Sequence, residues 1–134
     1  MISTTLARRL NANGIVWHPV SGDAFSIAGE GFDGDVFIVS DMTVEAHEFD
    51  TGTILGFNGT TEWALDSVAI EQSLWLPRED QLRELLGGTF RALRVVDGGF
   101  AVEVVFGDTE QIFTDADAAE AYGAALLALT DLAQ

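Results

Sequence analysis

A chain of 134 residues with 22 acidic side chains, six arginines, no lysine and a formal net charge of −16 excludes the functions that run on positive charge. Without lysine there is no Walker-type phosphate loop, and six arginines under such a field form no track for nucleic acid or anionic lipid. No cysteine means no disulfide, thiolate metal site or thiol nucleophile, while 48% apolar residues and two prolines exclude a disordered acidic tail and predict a single domain over residues 1–134.

Ile2, Leu6 and Leu10 recur at i, i+4 and i+8, which predicts a helix from Ser3 to Asn13. Ser3 or Thr4 caps its start and Gly14 stops it. Ile15-Val16-Trp17 begins an extended segment that ends at His18-Pro19. A β-rich middle follows, with strands at Ala24–Ala28, Val36–Val39, Thr43–Phe49, Thr53–Phe57 and Thr61–Asp66. The run Val36-Phe37-Ile38-Val39 is continuously apolar, the pattern of a strand covered on both faces. Asp50-Thr51-Gly52 and Asn58-Gly59 separate strands, and Asn-Gly is a strong hairpin signal because both central residues need positive φ.

Pro77 opens a second, short helix. Its apolar face is Leu82, Leu85 and Leu86, Glu79 and Arg83 form an i, i+4 pair, and Gly87-Gly88 ends it. Strands at Phe90–Val96, Gly99–Phe106 and Glu110–Thr114 come next, turned by Asp97-Gly98 and Gly107-Asp108. Phe100, Val102, Val104 and Phe106 alternate as one face. A last helix from Asp115 to Leu132 is capped by Thr114 or Asp115 and carries Tyr122, Leu126 and Leu129 on one side. Gly123, Ala124, Ala125 and Ala128 keep it slim enough to lie against a sheet or a second copy of the chain. The expected class is α+β: antiparallel β-meander and hairpins, with an N-terminal helix, a short middle helix and a longer C-terminal helix packed on the sheet.

The charge is uneven. From Leu10 to Pro77 there are eleven acids and no Lys or Arg, and the other eleven acids share the chain with all six arginines. Arg78, Arg83, Arg91 and Arg94 concentrate in one stretch, with Glu79, Glu84 and neighbouring acids as expected partners.

The chemical motifs are weak. Gly29-Glu30-Gly31-Phe32-Asp33-Gly34 spells GxGxxG, but it leads into a strand and carries acids that repel phosphate, so it reads as an acidic loop. Asp33, Asp35 and Asp41 supply oxygens without calcium-loop spacing. Glu45 and His47 stand at i, i+2 on a predicted strand, with His18 as a third nitrogen donor if the fold brings it near, and the plain reading is a surface histidine beside acids. Ser40-Asp41 near His47 has no triad spacing. No catalytic residue, metal ligand or cofactor is assigned. Of Trp17, Trp63 and Trp75, two belong to the core and Trp75, beside Leu76-Pro77, is expected half exposed. Asn58-Gly59-Thr60 matches a glycosylation sequon that the turn already explains.

The run Asn58-Gly59-Thr60-Thr61-Glu62-Trp63-Ala64-Leu65-Asp66-Ser67-Val68 is followed by Leu74-Trp75-Leu76-Pro77-Arg78-Glu79-Asp80-Gln81-Leu82-Arg83-Glu84-Leu85-Leu86-Gly87. Over most of its length the chain resembles a family of short uncharacterised proteins from high-GC Gram-positive bacteria. Some members carry a pilus assembly label shared with ATPase-like proteins; with no phosphate loop here, the label imports no activity. The helix–strands–helix–strands–helix plan is also similar to small phage-type proteins. The resemblance implies a bacterial cytoplasmic protein and assigns no catalytic residue.

The sequence therefore predicts a non-enzymatic interaction module, cytoplasmic and self-associating, that meets a basic protein and neither nucleic acid nor membrane. Its partner-binding candidates are Asp33, Asp35, Asp41, Glu45, Glu48 and Trp75. Two alternatives stand beside it: a small-ligand or cation-binding domain, and an immunity or inhibitor-type protein covering a cationic groove.

Overall fold

The computed structural model describes residues 1–27, 35–39, 44–49, 52–57, 67–69 and 72–134, with backbone only for 44–49, 52–57 and 67–69. The class is α+β; the described residues form three helices and three three-stranded antiparallel sheets. The chain divides into two compact units: one built from both ends, Met1–Val16 with Pro77–Gln134, and one from the middle, Trp17–Leu76.

In the unit built from the ends, helix α1 spans Thr4–Ala12. Ser3 is its cap, its hydroxyl accepting from the Leu6 N–H at 3.2 Å, and Leu6, Ala7 and Leu10 are its buried face. Helix α2 spans Glu79–Leu86, and the Arg78 N–H donates to Gln81 Oε1 at 2.9 Å at its start. Leu82 and Leu86 are buried, but Leu85 is exposed. The predicted three-leucine face is a two-leucine face, because eight residues make only two turns and Leu85 lies off the stripe. A 3-10 turn at Gly87–Thr89 leads into the sheet. Gly87 takes φ 57°, a conformation only glycine adopts readily, and so ends the helix as the sequence suggests.

That sheet, numbered β7 (Phe90–Val96), β8 (Gly99–Phe106) and β9 (Thr109–Asp115) in chain order, is a meander closed by two-residue turns. Of the predicted alternating face, Val102, Val104 and Phe106 are buried and Phe100 is half-buried. Helix α3, Ala118–Leu132, packs on β8 and β9 and against α1 and α2. Its cap is Asp117, whose carboxylate accepts from the Ala119 N–H at 2.8 Å. The predicted start at Asp115 is three residues early because β9 runs on through that residue. The buried side of α3 is also wider than predicted: Ala118, Ala119, Ala121, Tyr122, Gly123, Ala125, Leu126 and Leu127 are buried, while Leu132 is exposed. Leu82 and Leu126 have essentially no exposure, each worth about 1.5–3 kcal/mol of burial.

Helices α1 and α3 lie parallel. Their contacts climb together: Met1 with Asp117, Ser3 with Glu120, Leu6 with Gly123, and Asn13 with Thr130 and Asp131. Parallel helices bring two positive dipole ends to one side, and Asp117 and Glu120 supply the negative charge that side favours.

In the middle unit, β1 (Ala24–Ile27) is flanked by β2 (Phe37–Ile38) and β6 (Ser73–Leu76). A second sheet joins β3 (Val44–Phe49), β4 (Gly52–Phe57) and β5 (Ser67–Ala69). The core of the first sheet is Trp17, Phe25 and Val39, with Ile27, Phe37 and Trp75 packed against it. The strand at Val36–Val39 is shorter than predicted and is not covered on both faces: Ile38 is 57% exposed. It stands at a sheet edge, where only one side finds a partner. Ile15–Trp17 forms no strand. The predicted strand Thr61–Asp66, the Asn58-Gly59 turn and Trp63 lie outside the described residues.

Candidate functional site

The middle unit falls within the stretch that lacks Lys and Arg. Trp17–Leu76 holds eleven Asp and Glu, both histidines and no Lys or Arg, a formal −11. Met1–Val16 with Pro77–Gln134 holds the other eleven acids against all six arginines, a formal −5. No cation of the middle unit's own sequence neutralises its carboxylates, so its field is net negative wherever its surface lies.

Four arginines of the other unit, Arg78, Arg83, Arg91 and Arg94, are engaged locally, one of them with a neighbouring acid as expected. Arg78 pairs with Asp80 at 3.0 Å and Arg94 with Glu103 across the β7–β8 pair. Arg91 donates to the carbonyls of Gly88 and Phe90. Arg83 sits 4.4 Å over the Phe90 ring, which stacks on Tyr122 at 5.7 Å. Strand register sets Glu103 beside Arg94 and ring stacking sets Phe90 under Arg83, neither of which a linear reading shows. Beside them, Arg91, Glu103, Glu110 and Ile112 line a shallow cleft of about 240 Å³ on the sheet. Its charges are of both signs and converge on no single point.

Within the middle unit, one carboxylate is structural. Asp23 is 1% exposed and accepts from Trp17 Nε1 at 2.9 Å and from the Val20 N–H at 3.1 Å. The Val39 N–H donates to the Asp23 carbonyl at 2.8 Å and ties the same corner to the end of β2. Trp17 then packs on Phe25 with ring centroids 5.2 Å apart, and Phe25 on Phe37 at 5.6 Å.

The second indole of that cluster is treated differently. Trp75 pairs with Phe25 across β1 and β6. It is half-buried as a residue, yet its Nε1 is shut off from solvent and has no hydrogen-bond partner among the described residues. Ser73 Oγ, two positions earlier on the same strand, is in the same condition. A buried donor left without an acceptor costs about 1–3 kcal/mol. The linear sequence marks Trp75 as half exposed but gives no sign of the buried nitrogen, since that depends on which strand lies beside β6.

The remaining predicted residues scatter. Asp35 is exposed, just before β2. Asp33, Asp41, Ser40 and the Gly29–Gly34 motif lie outside the described residues. Glu45 and Glu48 both fall on β3, paired in register with Gly56 and Thr53. Their odd separation assigns these two positions to opposite faces of the sheet. Glu45 and His47 have an even separation and share one face. Among the described residues, no group of three or more His, Asp or Glu is arranged to hold a metal ion, and no helix is long and apolar enough to cross a membrane.

No protein-family model, curated protein or solved structure matches the chain.

Proposed function

We propose that the protein is a non-enzymatic interaction module whose middle unit, Trp17–Leu76, docks onto a basic protein. One observation carries this reading: the compact unit lies wholly inside the stretch without any Lys or Arg and contains every acid of that stretch, so eleven carboxylates are confined to one body with no Lys or Arg in its sequence. Such a field steers a cationic surface to the unit and rejects phosphate and anionic lipid. Exposed Asp35, together with Asp33, Asp41, Glu45 and Glu48, supplies the charge, and half-buried Trp75 the apolar contact. The small-residue side of α3 is used inside its own unit, so self-association is assigned to the exposed edges of the sheets. A cytoplasmic location accords with the absence of cysteine.

The experiment is capture of a partner on immobilised protein, followed by affinity measurement as ionic strength rises. Going from about 0.01 M to about 0.15 M shortens the screening length from about 30 Å to about 8 Å. The complex is expected to weaken steeply over that range, and neutralising acids of 30–50 should weaken it more than neutralising the same number in 97–131. An affinity indifferent to salt, or equally sensitive to both sets, refutes the reading.

A further inference from the structure

The two edges of the sheet β7-β8-β9 are unlike each other. Strand β7 carries Arg91 and Arg94, and its register with β8 shifts between Phe90 and Ala92. Cationic side chains and a bulge both blunt a sheet edge. Strand β9 has neither. It contains no Lys, Arg or Pro and pairs with β8 in unbroken register, from Phe106↔Thr109 to Phe100↔Asp115. The two-residue turn at Gly107-Asp108 makes Phe106 and Thr109 a hydrogen-bonded pair. Such pairs alternate along an antiparallel ladder. Thr109, Gln111 and Phe113 therefore direct their backbone groups to β8, while Glu110, Ile112 and Thr114 turn theirs to the free edge. All three of these outward residues are exposed, Ile112 by 62%. Their side chains lie on the face opposite buried Val102 and Val104.

We propose that β9 takes up an extended basic segment of another protein as a further antiparallel strand. Backbone pairing with Glu110, Ile112 and Thr114 supplies the attachment. Directly paired residues share a face. Read towards its C-terminus, the segment sets a β-forming residue opposite Thr114, an apolar one opposite Ile112 and Lys or Arg opposite Glu110. Among the described residues Glu110 has no ion-pair partner, whereas Glu103, on the same face, has Arg94. The charges of this strand are all acids, Glu110 and Asp115. They repel a second copy at −16 and favour a cationic strand, so self-association is left to the other sheet edges. The site lies outside Trp17–Leu76, does not rest on the docking of that unit and is read at its own amides, so the two readings fail separately.

The test is titration of the full chain with the end-blocked peptide Thr-Thr-Val-Thr-Lys-Thr, and with the same peptide carrying Glu for Lys, followed by NMR shifts and amide hydrogen exchange. The Lys peptide is expected to slow exchange at Glu110, Ile112 and Thr114 and to bind about threefold or more tighter than the Glu peptide. Glu110→Gln is expected to remove most of that difference. Ile112→Pro deletes one outward N–H, which an edge strand tolerates, and is expected to abolish the protection while the β8–β9 pair persists. Ile112→Lys, which repels the Lys peptide, serves if the proline variant does not fold. Exchange at the three amides that the Lys peptide leaves unchanged, protection at Leu93 and Val95 instead, equal binding of the two peptides, or protection that grows with protein concentration alone (a second copy on the edge) overturns the proposal.

Discussion

A methyl group added at Gly123 would stand 2.5 Å from Leu6 Cδ2 and 3.2 Å from Ile2 Cδ1. Glycine at this one point on α3 sets how closely α1 can approach. Gly123→Val is therefore expected to destabilise the protein by about 2 kcal/mol or more. Gly123→Ala should cost less, because the Leu6 side chain can rotate and alanine favours the helix by about 1 kcal/mol. A double-mutant cycle with Leu6→Ala checks the geometry: the two changes should couple by about 0.5 kcal/mol or more in denaturant unfolding, and additivity would show that the helices do not meet here.

Gly99 faces a harder obstacle. Its added Cβ would come 2.2 Å from the backbone oxygen of Asp115, and a backbone cannot rotate aside. Gly99→Ala is expected to cost about 2–3 kcal/mol, more than Gly123→Ala, and to loosen the β8–β9 pair. Amide exchange at Phe100 and Asp115 should quicken selectively.

Asp117 does two jobs, capping α3 and pairing with the Met1 ammonium at 2.8 Å. The hydrogen bond from Met1 holds the Asp117 carboxyl below its ordinary 3.8, and the same bond holds the ammonium above its ordinary 8.0. The carboxylate's contribution is present above pH 3.8 and is lost as pH falls through the lowered value. The ammonium's contribution is present below pH 8.0 and is lost as pH rises through the raised value. Both groups are exposed, so the effect is small. Asp117→Asn, which can still cap, should flatten both limbs of the curve of Tm against pH; Asp117→Ala should in addition lower Tm at every pH, by about 1 kcal/mol of capping.

Tyr122 is the chain's single tyrosine, so phenolate absorbance reports on it alone. Burial raises its hydroxyl above the ordinary 10.0, and Arg83 opposes that rise. Because the folded value is the higher one, the stabilisation is intact below pH 10.0 and is lost as pH climbs through the folded value. Phenolate should thus form above pH 10, together with loss of structure. Arg83→Met, which keeps the stem over Phe90 and removes the charge, should push the transition higher still.

Asp23 anchors the middle unit. Asp23→Ala leaves the Trp17 indole and the Val20 N–H buried without their acceptor and is expected to cost about 2–4 kcal/mol. Asp23→Asn retains an oxygen for the indole and should cost less. Urea unfolding followed by tryptophan fluorescence measures both; equal losses would mean that the charge, not the hydrogen bond, matters at this position.

Local chemistry was legible wherever it acts alone. Ser3 as cap, Gly87 and Gly98 as stops, and the alternation Val102-Val104-Phe106 are written in spacing and residue type, and the structure uses each of them. What depends on a distant neighbour was not legible. The strands Ser67–Ala69 and Ser73–Leu76 are short and carry no clean alternation; pairing with β4 and β1 defines them. The buried nitrogen of Trp75 and the ring that Arg83 covers follow from the same cause. Charge composition showed the stretch without arginine, but no linear feature showed that a compact unit lies within it.

The pairing of α1 with α3 joins residues 117 positions apart. A ribosome makes Ile2, Leu6 and Leu10 more than a hundred residues before their partner helix. Until that helix emerges the greasy stripe lacks the surface that covers it, which exposes the nascent chain to chaperones and to misassociation with neighbouring copies. Closing so long a loop also predicts slow refolding of the end-built unit, with the wait falling on the encounter of its two termini rather than on the local meander between them.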